Sequence, residues 1–274
     1  MSPSELPAWS EAFAPDRLRR VRTLRLPTRI TRDWAWGAGT GAGVRVAVVD
    51  SGIDGTHPQV GAVQGGVVIE PDESADAGIR IVPGAHDDLY GHGTATAAII
   101  RALAPQCELY SVRVLGAALT GRGQVFAAGL RWAIDNGMDV VNLSLSTRSR
   151  AILETFYELV DDAAFRNVML VCAVNNVPAP SYPSQFAGVF SVAAYDGRDP
   201  ERFVTNAEPP VEFGAPGIDL EVAWADGGSI VATGNSFAAP HIAGLLARIV
   251  GHHRPITTAE AKTVLRALAD NAES

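Results

Sequence analysis

From Val44 onward the apolar residues of this chain follow two alternating rhythms. Short, nearly unbroken apolar runs occur at 44–50 (VRVAVVD), 108–115 (ELYSVRVL), 139–145 (DVVNLSL), 168–174 (VMLVCAV) and 188–194 (GVFSVAA). Such runs read as strands buried on both faces. Between them the spacing stretches to that of a helix. Phe126, Leu130, Ala133 and Ile134 share one face of 123–136, and Ile152, Phe156, Leu159, Val160 and Ala163 share one face of 151–166. Another helix is expected from about His92 to Leu103. The segment FAAPHIAGLLARIV (237–250) is apolar nearly all round, as a helix in the centre of a protein would be. A last helix opens with Thr257 and Glu260 at capping-box spacing. Strands alternating with helices predict a three-layer α/β fold, a mostly parallel central sheet flanked by helices.

Residues 1–43 lack this rhythm. Pro3, Pro7, Pro15 and Pro27 punctuate them, and the glycine-rich GAGTGAG (37–43) closes them. The expected organisation is an N-terminal extension, 1–43, and one domain, 44–274. Hydrophobic residues make up 47% of the chain and charged ones 19%, which supplies a core and excludes general disorder. The net charge of −8 argues against a nucleic-acid partner, whose phosphates call for Lys and Arg. No apolar run approaches the roughly 18 residues of a membrane span, and the N-terminus has no apolar secretory core. No membrane partner and a cytoplasmic address are therefore expected. Cys107 and Cys172 sit inside strand-like runs and read as buried free thiols rather than a disulfide.

In an open α/β sheet, chemistry collects where strands end and helices begin. Three such turns carry reactive side chains: Asp50 at the end of the first strand, His92 between two glycines, and Ser236 at the start of the buried helix. A serine hydroxyl needs a base to take its proton, and a neutral histidine needs a carboxylate to fix its tautomer. Taken singly, Asp50 could be a strand-end cap, Ser236 a helix cap, and His92 a structural histidine or a metal ligand beside His86, Asp87 and Asp88. Together and in this order they point to nucleophilic hydrolysis.

Three segments, VAVVDSGIDGTHPQV, GHGTATAAI and TGNSFAAPHIAG, resemble the signature blocks of the subtilisin-like serine peptidases, the subtilases. The resemblance spans about residues 40–250 and implies a central parallel sheet of about seven strands. It implies a triad of Asp50, His92 and Ser236 and, through VCAVNN, an oxyanion-hole asparagine at Asn175, with Asn176 beside it as the other reading. It implies that a peptide or protein substrate lies extended between two enzyme segments. The matching residues are Gly121 and Gly123 on one side and Ser144, Leu145 and Ser146 on the other, with Ala173 and Val174 at the primary pocket.

Several positions depart from the family pattern. Gln59 stands where relatives have a calcium-binding Asp, and the loop that completes that site is missing, so neither metal nor cofactor is expected. Ser146, Thr147 and Val174 replace glycines, which reshapes the pocket, and Asn235 replaces the threonine before the serine. Residues 1–43 look too short for a prodomain; Leu24 to Ile30 read as a strap over the domain or as a short inhibitory or docking segment. The expected activity is that of an intracellular serine endopeptidase for processing, with a possible regulatory or substrate-presenting partner. The alternative is a non-catalytic or partner-dependent peptide-binding subunit.

Overall fold

The strand β1 (Arg45–Asp50) is buried from Val46 to Asp50. Its alternate residues serve two cores, Val46 and Val48 on one side and Ala47 and Val49 on the other. A strand can be apolar on both faces only where both are covered. The computed structural model, which describes residues 7–21, 23–75 and 78–272, supplies that cover.

After a one-turn α1 (Arg32–Ala35), β1 leads into an antiparallel hairpin of β2 (Val63–Pro71) and β3 (Ile79–Pro83). Then come α2 (His92–Leu103), β4 (Glu108–Arg113), α3 (Gly123–Asp135), β5 (Val140–Leu143), α4 (Leu153–Phe165) and β6 (Met169–Ala173). The chain continues through β7 (Phe190–Tyr195), β8 (Val204–Thr205), β9 (Phe213–Pro216) and a small ribbon of β10 (Leu220–Ala223) and β11 (Ser229–Ala232). It ends with α5 (Asn235–His253) and α6 (Thr258–Leu268). The capping box expected at Thr257 and Glu260 is present.

The main sheet runs β3-β2-β4-β1-β5-β6-β7-β9-β8. Among the described residues it has nine strands, which corrects the expectation of about seven. All pairings from β2 to β9 are parallel, and the additional members are the antiparallel edges β3 and β8. Neither edge shows a buried run: β3 is largely exposed and β8 is two residues long. Helices α2, α5 and α6 cover one face and α3 and α4 the other. Strand order reverses at β1, which opens a crevice at the carboxyl ends of β1 and β5. From Phe237 to Val250, α5 is buried throughout, and its N-terminus points into that crevice's rim.

Both cysteines are buried and free. No helix among the described residues is long and apolar enough to cross a membrane. Leu24 and Ile30 pack on the core, and the Leu24 N–H donates to Glu260 Oε1 at 2.8 Å. This strap borders the same hollow as His253, Arg254 and Pro255, at the end of α5 opposite to Ser236. Nineteen helical residues put the two ends of α5 about 28 Å apart.

Near Gln59 a guanidinium organises the backbone. Arg101, on α2, donates to four carbonyls: Val60 (2.9 Å), Ala62 (3.0 Å), Pro105 (3.0 Å) and Cys107 (2.7 Å). It thereby ties the loop after β1 to the turn after α2. A lysine keeps the charge but not the planar fork. R101K is therefore expected to lose roughly 1–3 kcal/mol of stability, because carbonyls are left without donors; thermal melts with and without added calcium check this, and the same drop is expected in both.

Candidate active site

Asp50, the last residue of β1, is fully buried, and His92, the first residue of α2, is only 6% exposed. His92 Nδ1 lies 2.8 Å from Asp50 Oδ1 and 2.9 Å from Oδ2. Asp50 Oδ1 also accepts the Ser51 N–H at 2.7 Å. A carboxylate facing Nδ1 keeps the proton there and leaves Nε2 with its lone pair. Burial pushes the imidazole pKa down, but the charge and hydrogen bond of Asp50, aided by the charge of Asp88, outweigh it. The ring is held above its ordinary 6.5.

The pair forms because two loops nest at very short range. A Cβ on Gly93 would sit 1.9 Å from the Gly52 carbonyl, and one on Gly52, at φ +118°, would sit 2.4 Å from that of Asp87. No other residue fits either position. Asp88 then brackets the junction. Its Oδ1 accepts the Ser51 hydroxyl (2.7 Å) and the N–H groups of Tyr90 (3.0 Å) and Gly91 (2.9 Å). Its Oδ2 accepts the Thr94 N–H (2.8 Å) and hydroxyl (2.6 Å). The Ser51 hydroxyl in turn accepts the Gly93 N–H at 3.1 Å. One carboxylate thus caps α2 and ties it to the end of β1. In the sequence Asp88 stood out only as a conceivable metal ligand. Among the described residues no group of three or more His, Cys, Asp or Glu gathers in a metal-holding arrangement.

Ser236, the second residue of α5, shares a cavity of about 400 Å³ with His92. No hydrogen bond within 3.5 Å joins its hydroxyl to the imidazole, whose ring packs 5.3 Å from that of Phe237. Catalytic contacts commonly stay open until substrate binds. Gly121, Gly123, Ser144, Leu145, Ser146, Ala173 and Val174 all line the same cavity, so the two predicted substrate-binding segments flank it.

The profile of the Subtilase family matches residues 41–274. The chain belongs to the Subtilase family. M-protease of Shouchella clausii (strain KSM-K16) is 36% identical over 221 residues, covering 77% of this chain and 54% of that protein. Subtilisin Savinase of Lederbergia lenta is 36% identical over 221 residues, covering 77% of each chain. Subtilisin E of Bacillus subtilis (strain 168) is 32% identical over 247 residues, 84% of this chain and 61% of that protein. The chain thus spans about half the length of some curated relatives that it matches. Among solved structures, a cold adapted subtilisin-like serine proteinase superposes with a TM-score of 0.68 at 22% identity, covering 92% of this chain and 91% of the other. That likeness concerns the fold.

The two asparagines of the motif reading differ in their contacts. The Asn175 side chain turns back along its own loop, its Oδ1 accepting the Val177 N–H at 3.0 Å, while the backbone N–H of Asn175 donates to Ser181 Oγ at 3.1 Å. Asn176 is the asparagine whose side chain meets the serine loop. Its Oδ1 accepts the Asn235 N–H at 2.9 Å, and its Nδ2 has no acceptor among the described residues. β6 ends at Ala173, and both asparagines that follow line the cavity with His92 and Ser236, so only the direction of their side chains separates them. Composition held no signal that separates the two.

Asn235, the departure just before the serine, is a clamp. Its Oδ1 accepts the Ala194 N–H at 2.8 Å, and its Nδ2 donates to the carbonyls of Val174 (3.2 Å) and Asn175 (3.1 Å). With the Asn235 N–H held by Asn176 and the Phe237 N–H by the Gly234 carbonyl, the Ser236 N–H between them has no acceptor among the described residues. Helix starts leave such donors open to anions.

The bracket around α2 makes a test of the electrostatics. D88N keeps the shape but removes a charge that raises the His92 pKa, so NMR titration of the ring should show a downward shift. The weakened cap should also cost about 1–2 kcal/mol in denaturant unfolding.

Proposed function

We propose that this subtilase is a serine endopeptidase acting through Asp50, His92 and Ser236. The observation that carries the proposal is the buried Asp50–His92 pair, with His92 and Ser236 bordering one cavity that the segments at Gly121 and Ser144 also line. In this reading Ser236 Oγ attacks the scissile carbonyl carbon and His92 Nε2 takes its proton. Asp50 stabilises the resulting imidazolium. The tetrahedral oxyanion receives the free Ser236 N–H and Asn176 Nδ2, with Asn176 taking the role that the motif gave to Asn175. The imidazolium then protonates the leaving amine, and water, activated by the same ring, hydrolyses the acyl-enzyme.

The substrate is a peptide or protein in extended form, paired with the segments at Gly121–Gly123 and Ser144–Ser146. A cytoplasmic processing role belongs to the same proposal, and two unpaired buried thiols suit a reducing compartment. Cell fractionation tests the address, and recovery outside the cytoplasm would overturn it. A regulatory or substrate-presenting partner would act by closing the open Ser236–His92 contact. Activity that rises when cell extract is added to purified protein would favour such a partner.

A fluorophosphonate should label wild-type protein at Ser236, and S236A should lose both label and peptide hydrolysis. An unlabelled, folded wild type would favour the peptide-binding alternative. N176A should lower kcat by about 10²–10³, a magnitude known from a subtilisin that lacks one oxyanion donor, whereas N175A should cost far less. The pH profile follows from the imidazole. His92 must be neutral to act as base, and its pKa is raised, so the acid limb of kcat/KM should lie above pH 6.5. D50N removes the raising influence, and its residual activity should titrate at lower pH.

A further inference from the structure

The carbonyl of Ser236 lacks the donor that a helix would ordinarily give it. Four residues along α5 stands Pro240, which has no N–H. The donor comes from the sheet instead, as the Ser144 hydroxyl donates to the Ser236 carbonyl at 2.8 Å. That hydroxyl accepts from Asn142 Nδ2 at 2.9 Å. A hydroxyl has one proton and a free rotor. With a lone pair taken by the amide, its proton is directed at the Ser236 carbonyl.

Asn142 is a poor choice for its position on stability grounds. It is fully buried in β5, and its sheet neighbours Val48 and Val171 belong to the core beneath α5. Its Oδ1 has no hydrogen-bond partner among the described residues. A buried acceptor without a donor works against folding, and an aliphatic residue would suit a strand covered on both faces. The amide is explained by what it holds rather than by what it packs against.

We infer that Asn142 is a positioning residue: through Ser144 it fixes the peptide unit of Ser236 at the proline-broken start of α5. The nucleophile and its N–H are thereby kept at the cavity that His92 and Asn176 also line. Ser144 is accordingly engaged with the enzyme through its hydroxyl, and only its backbone is left for substrate. This inference rests on the reading of Ser236 as nucleophile.

N142L tests it, because leucine keeps the branched shape and removes the donor. Peptide hydrolysis by N142L should show kcat about tenfold lower, equal to about 1.4 kcal/mol of barrier, with KM little changed. Tm should be unchanged or higher. S144A should lose kcat comparably, the double variant should lose no more than S144A alone, and S144T should restore it. Should N142L not fold, N142A carries the same expectation for kcat. Full kcat in N142L, or a loss that merely follows a loss of Tm, overturns the inference. If wild type is neither labelled by fluorophosphonate nor active, the functional reading fails separately. A crystal structure of N142L then decides the relay by itself: Ser144 Oγ turned away from the Ser236 carbonyl supports it, and an unchanged contact overturns it.

Discussion

The carboxylate of Asp50, wholly removed from water, is the constraint on which the site depends. An ionised acid in such a place is tolerated only if it is paired and hydrogen-bonded. The Ser51 N–H and His92 Nδ1 meet that need, but both must arrive within hydrogen-bond range of the end of β1. That requirement forces the loop at Gly52 and the first turn of α2 at Gly93 into near contact and calls for Asp88 to hold α2 against the strand. The raised imidazole pKa is a consequence of the same constraint, and so is the orientation of Nε2.

A second theme is the repair of backbone groups that regular structure leaves unmatched. The carbonyls of Val60, Ala62, Pro105 and Cys107 converge on one guanidinium. Asn235 takes three backbone groups at the ends of β6 and β7, and Ser144 replaces the N–H that Pro240 cannot give. Unpaired buried polar groups are costly, so each repair fixes a geometry as well as a contact. Two of the three lie within one hydrogen bond of the Ser236 peptide. The geometry of the site is therefore held in part by the side chains of Ser144 and Asn235.

The sequence displayed what periodicity and local motif can encode. The five parallel strands at β1, β4, β5, β6 and β7 were legible because both their faces are buried, and the helices because their stripes are wide. Asp50, His92 and Ser236 were legible because reactive residues at strand ends stand out against apolar runs. The missed elements are short, interrupted or exposed, and β9 (Phe213–Pro216), though largely buried, has only four residues. Two glycines interrupt the pattern of β2, β3 is an exposed edge, and β8 is too short to have a period. The choice between Asn175 and Asn176 depends on one residue of turn after β6, and the partnership of Asn142 with Ser236 joins positions far apart in the chain. Neither kind of information is local.

These contacts also bear on how an extended peptide would lie in the cleft. Thr147 exchanges both backbone hydrogen bonds with Tyr182 at 2.9 Å, so its N–H and C=O face away from the cavity. Neighbouring residues of an extended chain point to opposite sides. The backbone of Ser146 therefore faces the other way, on the segment that lines the cavity with Ser144 and Leu145. In the proposed reading, pairing with substrate would use the backbone at Ser144 and Ser146, which are two residues apart, as a strand partner requires. Side-chain selectivity would then fall to Val174, Ser146 and Thr147, which line the same cavity. In that reading the cleft would recognise the extended form of a peptide through backbone pairing and its sequence through those side chains.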